Sequence, residues 1–367
     1  MEEENLGPAK LQVEIDKVNG GWQAGETYLS QLSSKEQVLY LGYVPGPYEE
    51  SLELREQIAL TNLKSIKSEG LKAYGYPSSY DLRNVGGKNF ITPIKNQGGC
   101  GSCVAFGTVA TVEGTLKKLR NDPNYNLDLS EAHLFYCIAK NEGRNCGNGW
   151  WVPPAMDAFK NIGIVEESCF PYTAGDQNCN LCGNWQQGVT KITGWHEIKN
   201  ISQMKDWLST KGPLNTCFTV YADFFSYRSG VYKHVSGGVS GGHCVCCVGY
   251  NDTQGYWIVK NSWGTGWGEA GYFRIAYGQC GIDSTMWAVD GIEDTILHKN
   301  KKITGLWTVN QNRNAWAYLS GIGWKRISTK SDVVFYTMLS QLSSAKAANR
   351  PVNIYLEKGM IQQVYVL

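Results

Sequence analysis

The chain has 367 residues, with 34 Lys and Arg against 33 Asp and Glu and a formal net charge of +1. That length is enough for two or three domains with a sizeable core, and the near-neutral charge argues against a nucleic-acid-binding surface or a polybasic membrane anchor. No run approaches the 18 apolar residues of a membrane span, and twelve cysteines indicate a loop-rich fold from an oxidising compartment.

The cysteines divide the chain into three blocks. Residues 1–75 contain none, residues 76–292 contain all twelve, and residues 293–367 again contain none. The first five residues are acidic and polar, so they do not form a secretory signal peptide. Apolar spacing in the first block predicts two helices, over residues 9–18 and 48–68. On the second of these, one face carries the apolar residues Leu52, Ile58, Leu63 and Ile66.

The most informative stretch is the decapeptide from Gln97 to Phe106, which reads Gln-Gly-Gly-Cys-Gly-Ser-Cys-Val-Ala-Phe. Its three glycines suit a tight turn that exposes a thiol. Apolar residues then repeat at helical spacing over residues 104–119, so Cys103 is predicted to open a helix. The positive partial charge of a helix N-terminus favours a thiolate at that position.

Two further motifs lie far downstream of this cysteine. Gly241-Gly242-His243 supplies an imidazole, and Asn261-Ser262-Trp263-Gly264 supplies a side-chain amide 18 residues later. An isolated cysteine is usually a buried apolar side chain. The ordered set of cysteine, histidine and asparagine instead provides a thiol nucleophile, its proton shuttle and a group that orients the shuttle.

These motifs resemble those of the papain and cathepsin family of cysteine proteases over residues 76–292. Residues 76–83 look like the start of a mature papain-like enzyme, and residues 261–273 look like the asparagine loop and the strand after it. Residues 218–225 and 280–284 are closest in character to cathepsin B. The resemblance implies a two-lobed α+β fold, in which a helical lobe and a β-barrel-like lobe enclose the substrate cleft.

The resemblance also implies the role of each catalytic residue in an endopeptidase without metal or other cofactor. Cys103 would be a thiolate beside the His243 imidazolium and would form a thioester with the substrate. Asn261 would orient the imidazole, and Trp263 would shield their hydrogen bond from water. Gln97 and the Cys103 backbone N–H would bind the oxyanion, as in the acyl-transfer enzymes that use such donors.

Substrate-binding residues follow from the same resemblance. The backbone of Gly149 would pair with the bound peptide, and Trp150 would help to wall the cleft. Cys244 would line the pocket for the second substrate residue, with Thr285 at its far end, where cathepsin B carries an acid. A threonine there favours apolar or aromatic side chains over arginine. Residues 146–171 have little spare length, so the occluding loop that makes cathepsin B an exopeptidase is expected to be absent.

Disulfide pairing is implied by the resemblance for four cysteines. Cys100 would bridge to Cys146, and Cys137 to Cys179. Cys169 and Cys182 would form a local third pair. The three thiols of residues 244–247 would lie in a buried strand in place of small apolar residues, and their pairing with Cys217 or Cys280 stays open.

The first block resembles the short propeptide of cathepsin B-like zymogens through Trp22-Gln23-Ala24-Gly25 and Leu41-Gly42. It would lie in the cleft in reverse direction and inhibit the enzyme. An ordinary N-terminal domain is the alternative. The partners implied are protein or peptide substrates, the chain's own propeptide and cystatin-like inhibitors. The implied location is outside the cell or in a lysosome- or vacuole-like compartment.

The last block is an extension that the papain family does not require. Strands are predicted at residues 304–309, 315–319 and 324–327, then a helix at 333–348 and a hairpin of residues 352–356 and 361–366. Its aromatic residues, Trp307, Trp316, Tyr318 and Trp324, would either stack on a carbohydrate or other cell-surface ligand or lie in the core. Alternation along strands favours the core, and the sequence assigns this block no specific function.

Two rival functions are compatible with parts of the sequence. Cys100-Gly-Ser-Cys103 and Cys179-Asn-Leu-Cys182 are both Cys-x-x-Cys motifs, which bind zinc or carry redox chemistry in other proteins. The cysteines between them fit a compact zinc ribbon poorly. The second rival is a catalytically silent protease scaffold that acts as a binding or adhesion protein. Such relatives typically lose the nucleophile, which is present here.

Overall fold

The computed structural model describes residues 6–69, 75–293, 296–329, 331–357 and 360–367. The chain divides into two compact units. One consists of Met1–Cys182 and Ile192–Ile292, and the other of Gly183–Lys191 and Glu293–Leu367. The second unit thus combines the last block with a short stretch, residues 183–191, from within the cysteine-containing block.

Seven α-helices are described, and in chain order they are α1 (Pro8–Lys17), α2 (Ser34–Gln37), α3 (Leu52–Glu69), α4 (Cys103–Leu119), α5 (Val152–Asn161), α6 (Ile201–Thr210) and α7 (Asp332–Ala347). A π-helical stretch covers His133–Ala139, and 3-10 turns cover Val38–Tyr40, Trp185–Gly188 and Ala222–Ser226. Within the described residues, no helix combines the length and the apolar character needed to cross a membrane.

The strands are β1 (Trp22–Ala24), β2 (Ser79–Asp81), β3 (Ile164–Val165), β4 (Val189–Thr190), β5 (Ile192–Ile198), β6 (Leu214–Tyr221), β7 (Tyr227–Tyr232), β8 (Val239–Asn251), β9 (Tyr256–Lys260), β10 (Tyr272–Ala276), β11 (Met286–Ile292), β12 (Ile296–Lys301), β13 (Ile303–Thr308), β14 (Ala315–Leu319), β15 (Gly323–Ile327), β16 (Val352–Glu357) and β17 (Met360–Val366). Helices and antiparallel strands occupy separate parts of the first unit. The fold is therefore α+β, as the sequence predicted.

Both helices predicted in the first block are present, but the second starts later than expected. The Ser51 hydroxyl accepts a hydrogen bond from the Leu54 backbone N–H at 3.2 Å, so Ser51 caps the helix that begins at Leu52. Its buried face is not the apolar face that was expected, because the fully buried side chains belong to Arg55 and Ala59. Ile66 lies beyond the side chains that the structure describes.

Helix α4 is the centre of the helical lobe. It begins at Cys103, as predicted, and the residues from Cys103 to Lys117 are buried. Its one buried carboxylate, Glu113, accepts hydrogen bonds from the Thr92 hydroxyl and the Leu129 backbone N–H. Because these partners satisfy the charge, the helix can be covered on all sides without an unpaired buried acid.

The β-rich lobe is a nine-stranded sheet in the order β1-β7-β10-β9-β8-β6-β11-β5, with β2 paired to β8. The longest strand, β8, pairs with β6 on one side and β9 on the other. This register places His243 opposite Phe218, and Cys244 opposite Cys217. Helix α4 packs against β8, so the start of the helix and the histidine of the strand lie at the same junction of the two lobes.

The second unit is a six-stranded sheet in the order β12-β16-β17-β15-β14-β13, packed against α7. The three strands, the helix and the hairpin predicted for this block are all present, whereas β12 was not predicted. The expected hairpin turn includes Lys358 and Gly359, which lie outside the described residues. The apolar core contains side chains of α7, such as Phe335 and Leu342, and one face of the sheet.

The expectation that the aromatic residues of this block belong to its core is wrong. Trp307, Tyr318 and Trp324 are 48%, 41% and 47% exposed, and Trp316 is partly buried. The reason is strand alternation, because the small or aliphatic residues Ala315, Ala317 and Leu319 point to α7 and fill that side. The aromatic side chains therefore lie on the opposite face.

Candidate active site

Cys103 lies at the first position of α4, and the turn before it is restrained by a disulfide and by a backbone hydrogen bond. Gly98 has a φ of +61°, a conformation that glycine adopts more readily than other residues. Cys100, two residues later, forms a disulfide with Cys146. The Gly101 N–H donates to the Cys146 carbonyl at 2.9 Å. These restraints fix the backbone that carries the thiol.

His243 and Asn261 are joined by a hydrogen bond of 2.8 Å between Nε2 and Oδ1. The same Asn261 oxygen accepts from the Ser262 backbone N–H at 2.8 Å, so it is the acceptor and the imidazole Nε2 is the donor. In a neutral ring, Nδ1 then carries the lone pair. That Nδ1 atom is buried and has no hydrogen-bond partner among the described residues.

The histidine lies close to the sulfur through the backbone of its own strand. The N–H of Cys244, the next residue, donates to Cys103 Sγ at 3.4 Å. The Trp263 ring stacks on the His243 ring with 4.7 Å between centroids. The structure therefore brings together Cys103, His243, Asn261 and Trp263, which are distant in the sequence, and it encloses the His243–Asn261 hydrogen bond.

Gln97 lies beside this group, and its amide already binds a peptide carbonyl. Its Nε2 donates to the carbonyl of Tyr40 at 3.0 Å and to that of Cys100 at 2.9 Å. Its Oε1 accepts from the Ser262 hydroxyl at 2.6 Å. Ser262 thus orients the amide. The only sign of this contact in the sequence is the position of Ser262 between Asn261 and Trp263.

The cleft at this junction is filled by residues 40–44 of the first block. The Tyr40 carbonyl accepts from Gln97 and from Trp263 Nε1. Gly42 and Tyr43 both donate their N–H to the Gly242 carbonyl, at 3.1 and 3.0 Å. Cys103 and His243 are fully buried beneath this segment.

The backbone pairing expected of Gly149 is made to this segment by Trp150. The Trp150 N–H donates to the Gly42 carbonyl at 2.8 Å, and its carbonyl accepts from Val44 at 3.0 Å. Gly149 instead makes close backbone contact, because a Cβ there would lie 2.1 Å from the Gly42 oxygen. With a φ of +61°, it turns the chain so that Trp150 presents both backbone groups.

Burial has opposite effects on the two reactive groups. It raises the pKa of the Cys103 thiol to about 12, against smaller lowering effects of the backbone N–H groups around the sulfur. It lowers the pKa of His243 to about 4, which the hydrogen bond to Asn261 only partly offsets. In this covered state, burial therefore favours the neutral form of both groups over the predicted ion pair.

The pocket assigned to the second substrate residue is occupied by side chains of the first block. Cys244 is bonded to Cys217, one of the two partners that the sequence left open for the thiols of residues 244–247. The buried guanidinium of Arg55 donates to the carbonyls of Cys217 and Thr285, at 3.0 and 3.3 Å. It also lies 5.5 Å from the ring centroid of Tyr43. The sequence gives no sign of this role for Arg55, because an arginine on a helix is usually solvent-exposed.

Four disulfides are present, and they bear on the zinc alternative. Cys100–Cys146 and Cys137–Cys179 are the pairs implied by the resemblance, and Cys169–Cys182 is the local third pair. Three of the four cysteines in the two Cys-x-x-Cys motifs are thus oxidised and cannot act as thiolate ligands. In the described part of the chain, no three His, Cys, Asp or Glu side chains are arranged to hold a metal ion.

The stretch that would carry an occluding loop is compact. Residues 146–171, all of which are described, contain α5 and the short strand β3, and α5 begins directly after Trp151. The Trp151 ring packs where a Cβ on Gly46 would lie, 2.6 Å from its nearest atom. This length of chain is used for the lobe itself.

Comparison with known sequences matches residues 76–289 to the model of the papain family cysteine protease. A cathepsin L-like proteinase of Fasciola hepatica is 38% identical over 217 residues, which are 57% of this chain and 64% of that protein. The cathepsin B-like CP2 of Giardia intestinalis is 35% identical over 232 residues, 58% of this chain and 73% of that protein. The chain therefore spans slightly less than two thirds of the Fasciola relative.

Solved structures of proenzymes share the fold. The digestive procathepsin L2 proteinase from the larval midgut of Tenebrio molitor has a TM-score of 0.61 and 29% identity, covering 77% of this chain and 88% of that one. Procathepsin B S9 from Trypanosoma congolense has a TM-score of 0.62 at 23% identity, covering 79% and 99%. With the family match over more than half of its length, this chain belongs to the papain family of cysteine proteases.

Proposed function

We propose that the chain is the zymogen of a cysteine endopeptidase, in which residues 1–75 are an inhibitory propeptide and residues 76–292 the catalytic domain. The observation that carries this proposal is the hydrogen-bonded His243–Asn261 pair beside Cys103, covered by residues 40–44. A covered nucleophile cannot meet a substrate. The same site, once uncovered, has the groups that peptide hydrolysis by a thiol requires.

Release of the segment would convert the neutral pair into the reactive one. Solvent returns to the sulfur and the ring, so the burial that opposes charge on both groups is relieved. The proton then moves from Cys103 to His243 Nδ1, while Nε2 stays bound to Asn261. Because this transfer is internal, the pair takes up no proton from solvent on activation.

In the reaction, the Cys103 thiolate attacks the scissile carbonyl and His243 donates its proton to the leaving amine. Water then hydrolyses the thioester, with the imidazole as base. The oxyanion would be bound by the Gln97 amide and the Cys103 N–H. Support for the role of Gln97 comes from its hydrogen bond to the Tyr40 carbonyl, since the amide is already directed at a peptide oxygen in the cleft.

The endopeptidase assignment follows from the use of residues 146–171 in the lobe, which leaves no length for a loop across the cleft. At the second-residue pocket we expect apolar or aromatic side chains. Arg55 finds two carbonyl oxygens there, while its Nε and Nη1 have no hydrogen-bond partner among the described residues. Because no described acid of the β-rich lobe pairs with Arg55 at this pocket, a substrate arginine would gain little there.

The alternative is a catalytically silent scaffold. Fluorogenic peptide hydrolysis, measured after proteolytic removal of residues 1–75, distinguishes the two. We expect turnover that a thiol-reactive epoxide abolishes, with the epoxide attached to Cys103 by mass spectrometry. An activated chain that neither hydrolyses peptides nor reacts with the epoxide would favour the scaffold.

Gln97 provides a test of the oxyanion site. In Gln97→Ala we expect kcat to fall by about 100-fold with little change in KM, because the lost donor acts on the transition state. Ser262→Ala should lower kcat less, since it only loosens the amide that the Ser262 hydroxyl holds. Steady-state kinetics of the processed variants check this. A loss confined to KM would assign Gln97 to substrate binding instead.

The covered state predicts how Cys103 reacts with iodoacetamide. Because Cys103 is buried beneath residues 40–44 and burial raises the pKa of its thiol, the full chain should be labelled more slowly than glutathione throughout pH 5 to 8. In the processed chain the thiolate is already formed, so labelling should be faster than that of glutathione at pH 5 and nearly independent of pH. Mass spectrometry of labelled Cys103 gives both rates. Equal labelling rates of Cys103 in the full and the processed chain would contradict the proposal.

The partners proposed are protein or peptide substrates, the chain's own propeptide and cystatin-like inhibitors that enter the same cleft. Four disulfides and the zymogen form support a location outside the cell or in a lysosome- or vacuole-like compartment. Mass spectrometry of the naturally processed protein would show which blocks remain attached.

A further inference from the structure

The second unit carries a binding site that is separate from the protease chemistry. We propose that the outer face of its sheet binds an anionic polysaccharide. This aromatic face consists of the side chains of Trp307, Trp316, Tyr318, Trp324 and Arg326, on the adjacent strands β13, β14 and β15. The proposal does not depend on the proposed proteolytic activity.

Strand register places these five side chains in two neighbouring rows. Trp307 pairs with Trp316, which pairs in turn with Arg326, while Tyr318 pairs with Trp324. Directly paired residues of antiparallel strands share a face of the sheet. The alternate residues of β14 are buried together with side chains of α7, so the rows lie on the side of the sheet away from the helix.

The face is exposed and its rings are held in place. Three of its large aromatic side chains are 41–48% exposed, and neighbouring exposed aromatics of this kind mark interaction sites on soluble proteins. The Trp324 ring lies where a Cβ on Gly305 would be, 3.0 Å from the nearest ring atom. It also meets the Tyr318 ring edge-to-face at 5.4 Å. Rings fixed in this way lose little conformational entropy when a ligand stacks on them.

Charge determines which ligand fits. Residues 293–367 contain ten Lys and Arg but only four Asp and Glu, whereas residues 1–292 contain 24 against 29. Arg326 lies in the same row as two tryptophans and is partly exposed, and its buried Nε has no hydrogen-bond partner among the described residues. The acid Asp332, by contrast, is paired with Arg313. An anionic ligand is therefore complementary to this unit.

A sugar ring presents a flat C–H surface that stacks on an aromatic face, and the carboxylates or sulfates of acidic polysaccharides would pair with Arg326. Single-stranded nucleic acid would also satisfy aromatic and basic groups. The disulfides of the chain indicate an oxidising compartment, where acidic polysaccharides are the usual polyanions. We therefore commit to the polysaccharide.

The test uses the full chain carrying Cys103→Ala, so that it remains uncut. Calorimetric titration at low salt would compare dextran sulfate with neutral dextran of equal length. We expect dextran sulfate to bind at least tenfold more tightly, and Trp324→Ala and Arg326→Gln each to weaken it at least fivefold. Tyr336→Ala and Lys346→Gln, exposed on α7, are the matched aromatic and charge controls and should stay within twofold.

Trp307→Ala provides a second aromatic variant. This half-exposed residue lies on the edge strand, so its replacement should leave the fold intact. The melting temperature of each variant checks that it is folded. The proposal is overturned if dextran sulfate does not bind, if neutral dextran binds equally, or if the control variants lose as much affinity. Tighter binding of single-stranded DNA of equal charge would overturn it in favour of nucleic acid. A dimer in sedimentation that Trp324→Ala abolishes, without dextran sulfate binding, would assign the face to a second copy.

Discussion

Replacing Cys103 by alanine should lower kcat/KM for peptide hydrolysis by at least about 10⁴-fold, with no loss of folding. The sulfur is the only atom that can form the thioester, and the remaining oxyanion donors give only weak catalysis. The helix start that carries residue 103 is fixed by the Cys100–Cys146 bond and by backbone contacts, which alanine retains. Fluorogenic assays and thermal melting of the two processed proteins measure both effects.

A buried free thiol elsewhere in the sheet is the matched control. Cys247 is fully buried, and its Sγ contacts the Gly249 carbonyl at 3.7 Å, away from the cleft. Cys247→Ala should retain kcat/KM within about twofold, with a modest loss of stability from the vacated volume. If Cys103→Ala and the unchanged protein hydrolysed the peptide at similar rates, Cys103 would not be the nucleophile.

Changing Gly42 to alanine should free the cleft. A Cβ on this residue would lie 2.1 Å from the Gly101 carbonyl oxygen and 2.4 Å from the Gly101 carbonyl carbon, so it would clash with the backbone there. The segment would have to move by about 1 Å, and its hydrogen bonds to Trp150 and Gly242 would be lost, a cost of about 3 kcal/mol. We expect isolated residues 1–75 to inhibit the processed enzyme at micromolar concentration, and the variant segment to be about 100-fold weaker.

Gly7→Ala is the matched control for this prediction. Gly7 precedes α1, has a φ of −60°, and has no atom within 4 Å of an added Cβ. The segment that carries Gly7→Ala should therefore inhibit the processed enzyme as strongly as the unchanged segment does. In the full chain, Gly42→Ala should also make Cys103 react faster with iodoacetamide, without proteolytic processing. Equal inhibition constants for the two variant segments would mean that residues 40–44 do not provide the inhibitory contact.

Motifs with local chemistry were predictable from the sequence. The helix that begins at Cys103 follows from apolar spacing, and the second unit's strands follow from alternation and turn residues. The aromatic residues of that unit were misplaced. Alternation shows that two faces exist, but the choice between them depends on which face the helix covers, and this contact is not visible in a single strand.

The roles of residues that contact a distant segment of the same chain were not predictable from the sequence. Trp150 rather than Gly149 pairs with the segment in the cleft, because a positive φ at Gly149 shifts the pairing by one residue. Arg55 occupies the pocket beside Cys244 because α3 is held against that part of the β-rich lobe. The spacing of residues in the sequence does not show which strand or helix from another block packs against a site in the folded protein.

The sequence by itself determined the family resemblance, the α+β class and the proposed reacting groups, because a thiol, an imidazole and an amide are defined by residue type and spacing. Only the tertiary structure shows that the pair is buried, and this burial raises the pKa of Cys103 and lowers that of His243. The tertiary structure also decided which cysteine forms a disulfide with Cys244. Both outcomes arise from contacts between residues far apart in the chain, and local pattern does not encode such contacts.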